Sequence, residues 1–151
     1  MPGNDPDALA AELFKTFARF EYALKAAEFH RGEGAAEANW RSFAESVAGI
    51  FEEPTNESVA AAIAYMLEHP PKKQVVEGGV LGWSVSAPQT DLQSDRVLIY
   101  VRRVRNNLFH GGKFNGRFFE PQRSAALLQH SLTILDACLA GFTGGERSLS
   151  Q

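Results

Sequence analysis

The sequence predicts an all-α fold: a compact bundle of four to five helices, with one long ordered loop ahead of the helix that carries the most distinctive motif. Three observations support this. Apolar residues recur at spacings of three and four through five segments, as on the buried face of a helix. Proline and glycine punctuate the joints between those segments. The chain has 151 residues, 44% hydrophobic and 22% charged, which suits one globular domain with a sizeable core rather than a disordered or membrane-embedded chain. The domain is expected over residues 1–142, with 143–151 as a flexible tail.

The first helix is expected over 5–31, where Leu9, Leu13, Phe17, Phe20, Leu24 and Ala27 form one stripe. Asp5 or Asp7 can cap its first turn, Pro6 suits a first helical position, and Gly32 and Gly34 mark the exit. A second helix is expected over about 35–53, with Trp40, Phe43, Val47, Ile50 and Phe51 inward, stopped by Pro54. Thr55, Asn56 and Ser58 offer cap oxygens for a third over 57–69, ended by Pro70-Pro71.

Residues 70–90 break the periodicity with three prolines and three glycines. They read as a long ordered loop with room for a short hairpin around Gly78-Gly79, and Trp83 suggests that the loop packs onto the body. The motif helix starts near Asp91 or Ser94, carries Val97, Val101, Val104 and Leu108, and ends at Gly111-Gly112. After a short loop, Pro121 opens the last helix, with Leu128, Leu132, Leu135, Leu139 and Phe142 along its seam.

The net charge of −3 argues against a broadly cationic nucleic-acid binder. Its distribution is uneven. Residues 1–70 carry 12 acidic and 5 basic side chains, a balance of −7, whereas residues 71–125 carry 9 basic and 4 acidic, a balance of +5. Arg102, Arg103, Arg105, Lys113, Arg117 and Arg123 crowd into this second stretch. They read either as a solvated face or as a local phosphate-binding surface. The N-terminal MPGNDPDALA does not resemble a signal peptide, and no apolar run approaches the length of a membrane span. The lone Cys138 sits in an apolar stretch and reads as a core thiol in a reducing cytoplasm.

The informative string is VRRVRNNLFHGGKF, residues 101–114. On a helix, Arg102, Asn106 and His110 share a line at i, i+4, i+8, and Arg103, Asn107 and His110 form a neighbouring one. Arg105 stands five residues before His110, about 140° round the axis. Histidine exchanges protons near neutral pH, and arginine matches phosphate oxygens with a planar fork. Asparagine can orient an imidazole or bind a ribose hydroxyl. Together an Arg and a His beside an RNA phosphate suffice for cleavage without a metal. The same residues could instead simply cap the helix, with glycine at its end.

The string Arg105-Asn106-Asn107-Leu108-Phe109-His110-Gly111-Gly112 resembles the R-x4–6-H motif of the HEPN superfamily, in the variant where a polar residue follows the arginine. The FARFEYALK stretch, the PPKK…W loop and the terminal helix are similar too, so the resemblance covers roughly 8–142. It implies a helical domain, often a symmetric homodimer with the two motifs facing across a cleft, and in many members a metal-independent endoribonuclease acting as toxin, phage-defence effector or RNA-processing enzyme. Carried onto this chain, Arg105 would bind and polarise the scissile phosphate, His110 would be general base or acid, and Asn106 would orient them. Arg102, Arg103, Asn107 and Lys113 would bind substrate. Glu21 is a possible support from the first helix; the alternative is a surface carboxylate paired with Lys25 at i+4.

No cofactor or metal is expected; the sequence has no Glu-x-x-His pair and no phosphate-binding glycine loop. His30, His69 and His130 read as cap, surface or packing residues. Expected partners are RNA or a nucleotide, a second copy, and possible regulation by an antitoxin or other protein, with no membrane. Two other readings stay open: a non-catalytic RNA-, nucleotide- or protein-binding module, and a structural dimerisation unit.

Overall fold

Helix α1 (Pro6–Ala26) begins where Asp5 accepts a hydrogen bond from the Asp7 amide at 3.3 Å, with Pro6 in the first turn. This is a computed structural model, and it describes residues 5–109, 113–114, 117–118 and 121–143. α1 stops five residues earlier than the stripe suggests. Glu28 adopts φ 72°, and the Phe29 amide reaches back to the Leu24 carbonyl (2.8 Å) and the Glu28 amide to Lys25 (3.2 Å). That is a Schellman turn, and the buried Phe29 stands at its hydrophobic position beside Leu24.

The expected second helix is two short ones, α2 (Trp40–Ser46) and α3 (Ala48–Glu52). Residues 35–39 are not helical: Asn39 is the N-cap, its Oδ1 accepting from the Ser42 amide at 3.0 Å, and His30 bridges to Ala38. Asn56 alone of the three cap candidates holds the start of α4 (Glu57–Glu68), accepting from the Ser58 and Val59 amides. α5 (Gln93–Phe109) and α6 (Pro121–Thr143) follow the predicted seams.

The fold is mostly helical but not purely all-α. Strands β1 (Lys73–Glu77) and β2 (Val80–Ser84) form an antiparallel hairpin within the expected loop, and β3 (Lys113–Phe114) pairs with β4 (Arg117–Phe118). The first hairpin turns on Gly78 and Gly79 at φ 57° and 77°, the left-handed pair that a two-residue type I′ turn needs. Trp83 does not pack down as expected. It is 43% exposed, and Val76, Val80, Leu81 and Val85 are more exposed still. Val76, Leu81 and Trp83 lie on the outer face of the hairpin, while Val75, Gly82 and Ser84 on the other face are half-buried.

The core joins Leu13, Phe17, Phe20 and Leu24 of α1 to Trp40, Phe43 and Phe51, to Ile63 and Met66, to Val97, Val101 and Val104, and to Leu128, Leu135 and Cys138. Phe20 stacks on Trp40 at 5.4 Å, and Phe43 meets Phe20 and Phe29 edge-on. Burial pushes the Cys138 thiol well above its ordinary range, so it is inert at neutral pH. α1 and α4 pack on α6, while α5 lies on α2 and α3. Polar contacts lock the start of α5 in place. Ser94 Oγ donates to the Ala44 carbonyl at 2.7 Å, and Gln93 Nε2 to the Phe51 carbonyl at 3.0 Å. Arg41 joins Asp95 at 3.1 Å and Thr90 Oγ1 at 2.9 Å. Among the described residues no helix is long and apolar enough to cross a membrane. Apart from Thr143, the expected tail lies outside the described residues.

Candidate functional site

The second half of α5 faces α1 on one side and the roots of the β1–β2 hairpin on the other. Valines 97, 101 and 104 bury one line of the helix, and this orients the polar residues between them. Arg105 then lies over the α1 surface. Its Cζ stands 4.4 Å from the centre of the Phe17 ring, and its Nη1 donates to Glu21 Oε1 at 3.2 Å. Its Nε donates to Asn106 Oδ1 at 3.0 Å. The guanidinium is thus held on a ring face and at two edges.

Glu21 has a second partner. Its Oε2 accepts from the indole Nε1 of Trp40 at 2.8 Å, so one carboxylate joins α1 to α2 and α5. The expected alternative, pairing with Lys25, is not what the structure shows. Phe17 and Glu21 are one turn apart on α1, which sets the ring and the carboxylate side by side under Arg105. The Arg105 and Glu21 side chains keep 25% and 30% exposure, so the pair is open to a ligand from solvent.

Arg102 lies one turn earlier, its Cζ 5.3 Å from the Trp40 ring centre. Burial lowers its pKa and the like charge of Arg105 adds to this, while Asp95 and Glu21 oppose it. It remains charged at neutral pH. Glu21 pairs directly with Arg105 and attracts Arg102 only at longer range, while the Arg102 Nε donates to the Leu98 carbonyl at 3.4 Å. Asp95 is itself paired with Arg41, so the surface here is locally cationic.

Arg103 and Asn107 share the line that their spacing predicts, and it turns toward the hairpin. Arg103 Nη1 donates to the Ser86 carbonyl at 3.1 Å, and Asn107 Nδ2 to the Lys72 carbonyl at 2.8 Å. Arg96 holds the Pro88 and Thr90 carbonyls, and Arg123 the Pro70 carbonyl. Much of the basic charge counted in the sequence therefore fixes the loops around the site.

His110, with Gly111 and Gly112, lies outside the described residues, and so does the role expected of the Lys113 side chain. The structure brings together Arg105, Asn106, Glu21 and Arg102, and gives Arg103 and Asn107 partners in the hairpin. Phe17 and Trp40 were legible only as core residues. The available signal was Glu21 itself, an acid one turn beyond Phe17 and adjacent to Phe20 on an otherwise apolar stripe. His30 and His69 lie near surface turns. His130 packs its ring on Tyr65 at 4.6 Å. Among the described residues no group of three or more His, Cys, Asp or Glu side chains is arranged to hold a metal ion.

Chemically, a fixed and partly exposed guanidinium beside a second cation can bind a phosphate oxygen and stabilise charge that builds on it. Comparisons with protein-family models, curated proteins and solved structures give no match to this chain.

Proposed function

We propose that the chain is a metal-independent endoribonuclease of HEPN type, with Arg105 and His110 as its catalytic pair. The observation that carries the reading is the setting of Arg105: pinned by Glu21 and Asn106, seated on Phe17, and still open to solvent. In the reaction, His110 removes the proton of a ribose 2′-hydroxyl and the 2′-oxygen attacks the adjacent phosphorus. Arg105 stabilises the charge on the non-bridging oxygens. The bond to the 5′-oxygen breaks, and that oxygen takes a proton from the His110 of a second copy across a dimer cleft. The products are a 2′,3′-cyclic phosphate, open to hydrolysis to a 3′-phosphate, and a 5′-hydroxyl. Arg102 adds local positive potential, and a toxin, phage-defence or RNA-processing role in the cytoplasm fits this chemistry.

The test is RNA cleavage by purified protein in EDTA, for the wild type beside His110→Ala and Arg105→Ala. Cleavage that persists in EDTA and falls by about 100-fold or more in each variant is expected. Activity unaffected by His110→Ala rules the reading out.

A second reading, a non-catalytic RNA-, nucleotide- or protein-binding module, draws support from Arg103 and Asn107, whose side chains hold the hairpin. It expects salt-sensitive binding without turnover, weakened more by loss of Arg105 than of His110.

A further inference from the structure

The β1–β2 hairpin presents an apolar stripe that the body leaves uncovered. Cross-strand partners share a face, so the pairings Val76↔Leu81 and Gln74↔Trp83 place Val76, Leu81 and Trp83 together. Val76 and Leu81 are 67% and 65% exposed, and Trp83 43%. A lone two-stranded hairpin is marginal in water, and this one is anchored at its roots, by Asn107 at Lys72 and Arg103 at Ser86.

Its two edges differ. In a two-residue hairpin the residues flanking the turn, here Glu77 and Val80, exchange both hydrogen bonds. By alternation, Lys72, Gln74 and Val76 turn their backbone groups away from β2. The Lys72 carbonyl on that edge is already held by Asn107 of α5, and the segment carries the charges of Lys72, Lys73 and Glu77. The β2 edge is the opposite. From Val80 to Ala87 it reads VLGWSVSA, with no charge and no proline, two of the devices that ordinarily protect an edge strand. Leu81 and Trp83 turn their backbone groups outward along it.

We infer that β2 pairs antiparallel with β2 of a second copy of this chain about a two-fold axis at Gly82, joining two hairpins into a four-stranded sheet. The strand is complementary to itself in this register. Leu81 falls opposite Trp83 of the second copy, and Val80 opposite Ser84, so apolar meets apolar on the stripe face. An uncharged strand leaves no unpaired charge against its own copy, whereas a charged partner strand would. Gly82 meets Gly82 in a non-hydrogen-bonded pair, where the backbones lie closest. The inference does not rest on the RNA reading, because it is read from mass and cross-linking rather than from cleavage.

Sedimentation equilibrium of the full chain tests the seam. Leu81→Lys is expected at half the mass of the wild type, which is itself at least twice the 16.5 kDa protomer mass; a dimer formed only across the motif cleft would keep its mass in this variant. Gly82→Cys tests the register. A side chain there meets nothing within 4 Å in the protomer, so the variant folds, and two such cysteines stand within disulfide reach. Mild oxidation should link Gly82→Cys into a covalent dimer and leave Val76→Cys, on the neighbouring strand, unlinked. The native Cys138 is fully buried and does not compete. A wild type at protomer mass, a mass that Leu81→Lys leaves unchanged, or equal cross-linking from both cysteines would overturn the pairing; the last would indicate stacking of the apolar faces instead.

Discussion

Glu21 and Arg105, 84 residues apart in the chain, meet at 3.2 Å, and the same carboxylate holds the indole of Trp40 at 2.8 Å. The two contacts differ in energetic kind. The ion pair is partly exposed and contributes about 0.2–1 kcal/mol. The indole belongs to a residue only 4% exposed, and its N–H would be left without a partner if the carboxylate were removed.

Glu21→Ala should therefore cost more than Glu21→Gln, which keeps an oxygen for the indole. A difference of about 1 kcal/mol or more in urea unfolding is expected. Equal losses would show that the ion pair, not the indole contact, dominates.

Much of this arrangement was legible in the sequence, in the parts that depend on local pattern. The stripe of Leu13, Phe17, Phe20 and Leu24 is buried as its periodicity predicts, and so is the line of Val97, Val101 and Val104. The neighbours Arg105 and Asn106 interact as a motif written in one turn suggests. The Glu21 contact was not legible with the same security. A carboxylate four residues before Lys25 satisfies a local rule equally well, and only the packing of α1 on α5 decides between the two. The hairpin misled for a related reason. Val, Leu and Trp in a loop signal burial when another element covers them, yet here the roots are tied through the Lys72 and Ser86 carbonyls, which no side-chain pattern reveals. The start of α2 at Trp40 turned on Asn39, whose cap competes with helix extension through Ala35 and Ala36.

Glu28 sits at the left-handed position of the turn that ends α1, with φ 72°. A side chain costs about 1–2 kcal/mol in that conformation and glycine avoids it. Glu28→Gly should stabilise the protein by about 0.5–1 kcal/mol, after the extra chain entropy that glycine gives the unfolded state. Thermal unfolding checks this: the midpoint should rise by a few degrees, and a fall would mean that the Glu28 side chain makes a stabilising contact of its own.

Ser131 is fully buried on α6, and among the described residues its Oγ has no hydrogen-bond partner. A hydroxyl desolvated without compensation is a net cost. Ser131→Ala removes that cost with little change of volume, and should raise stability by about 1 kcal/mol in urea unfolding. A loss of stability instead would point to an ordered water bonded to the hydroxyl.

His130 links packing on α6 to pH. Its ring lies against Tyr65, which also meets His69 at a tilt with ring centres 4.7 Å apart, and burial lowers its pKa below the ordinary 6.5. The folded state thus favours neutral imidazole more strongly than the unfolded state does. Below pH 6.5 the unfolded chain binds more protons at this residue, so its contribution is present above that pH and is lost as pH falls toward the folded-state value. Asp136, whose carboxyl is pushed above its ordinary 3.8 by burial and by Glu12, acts in the opposite sense and in a lower window. The comparison therefore belongs between about pH 7.5 and 5.5, which brackets the ordinary histidine value. The urea midpoint of the wild type should fall across that range. In His130→Phe, which keeps an aromatic ring on Tyr65 and cannot take a proton, the fall should be smaller, and an unchanged slope would assign the pH dependence to another group.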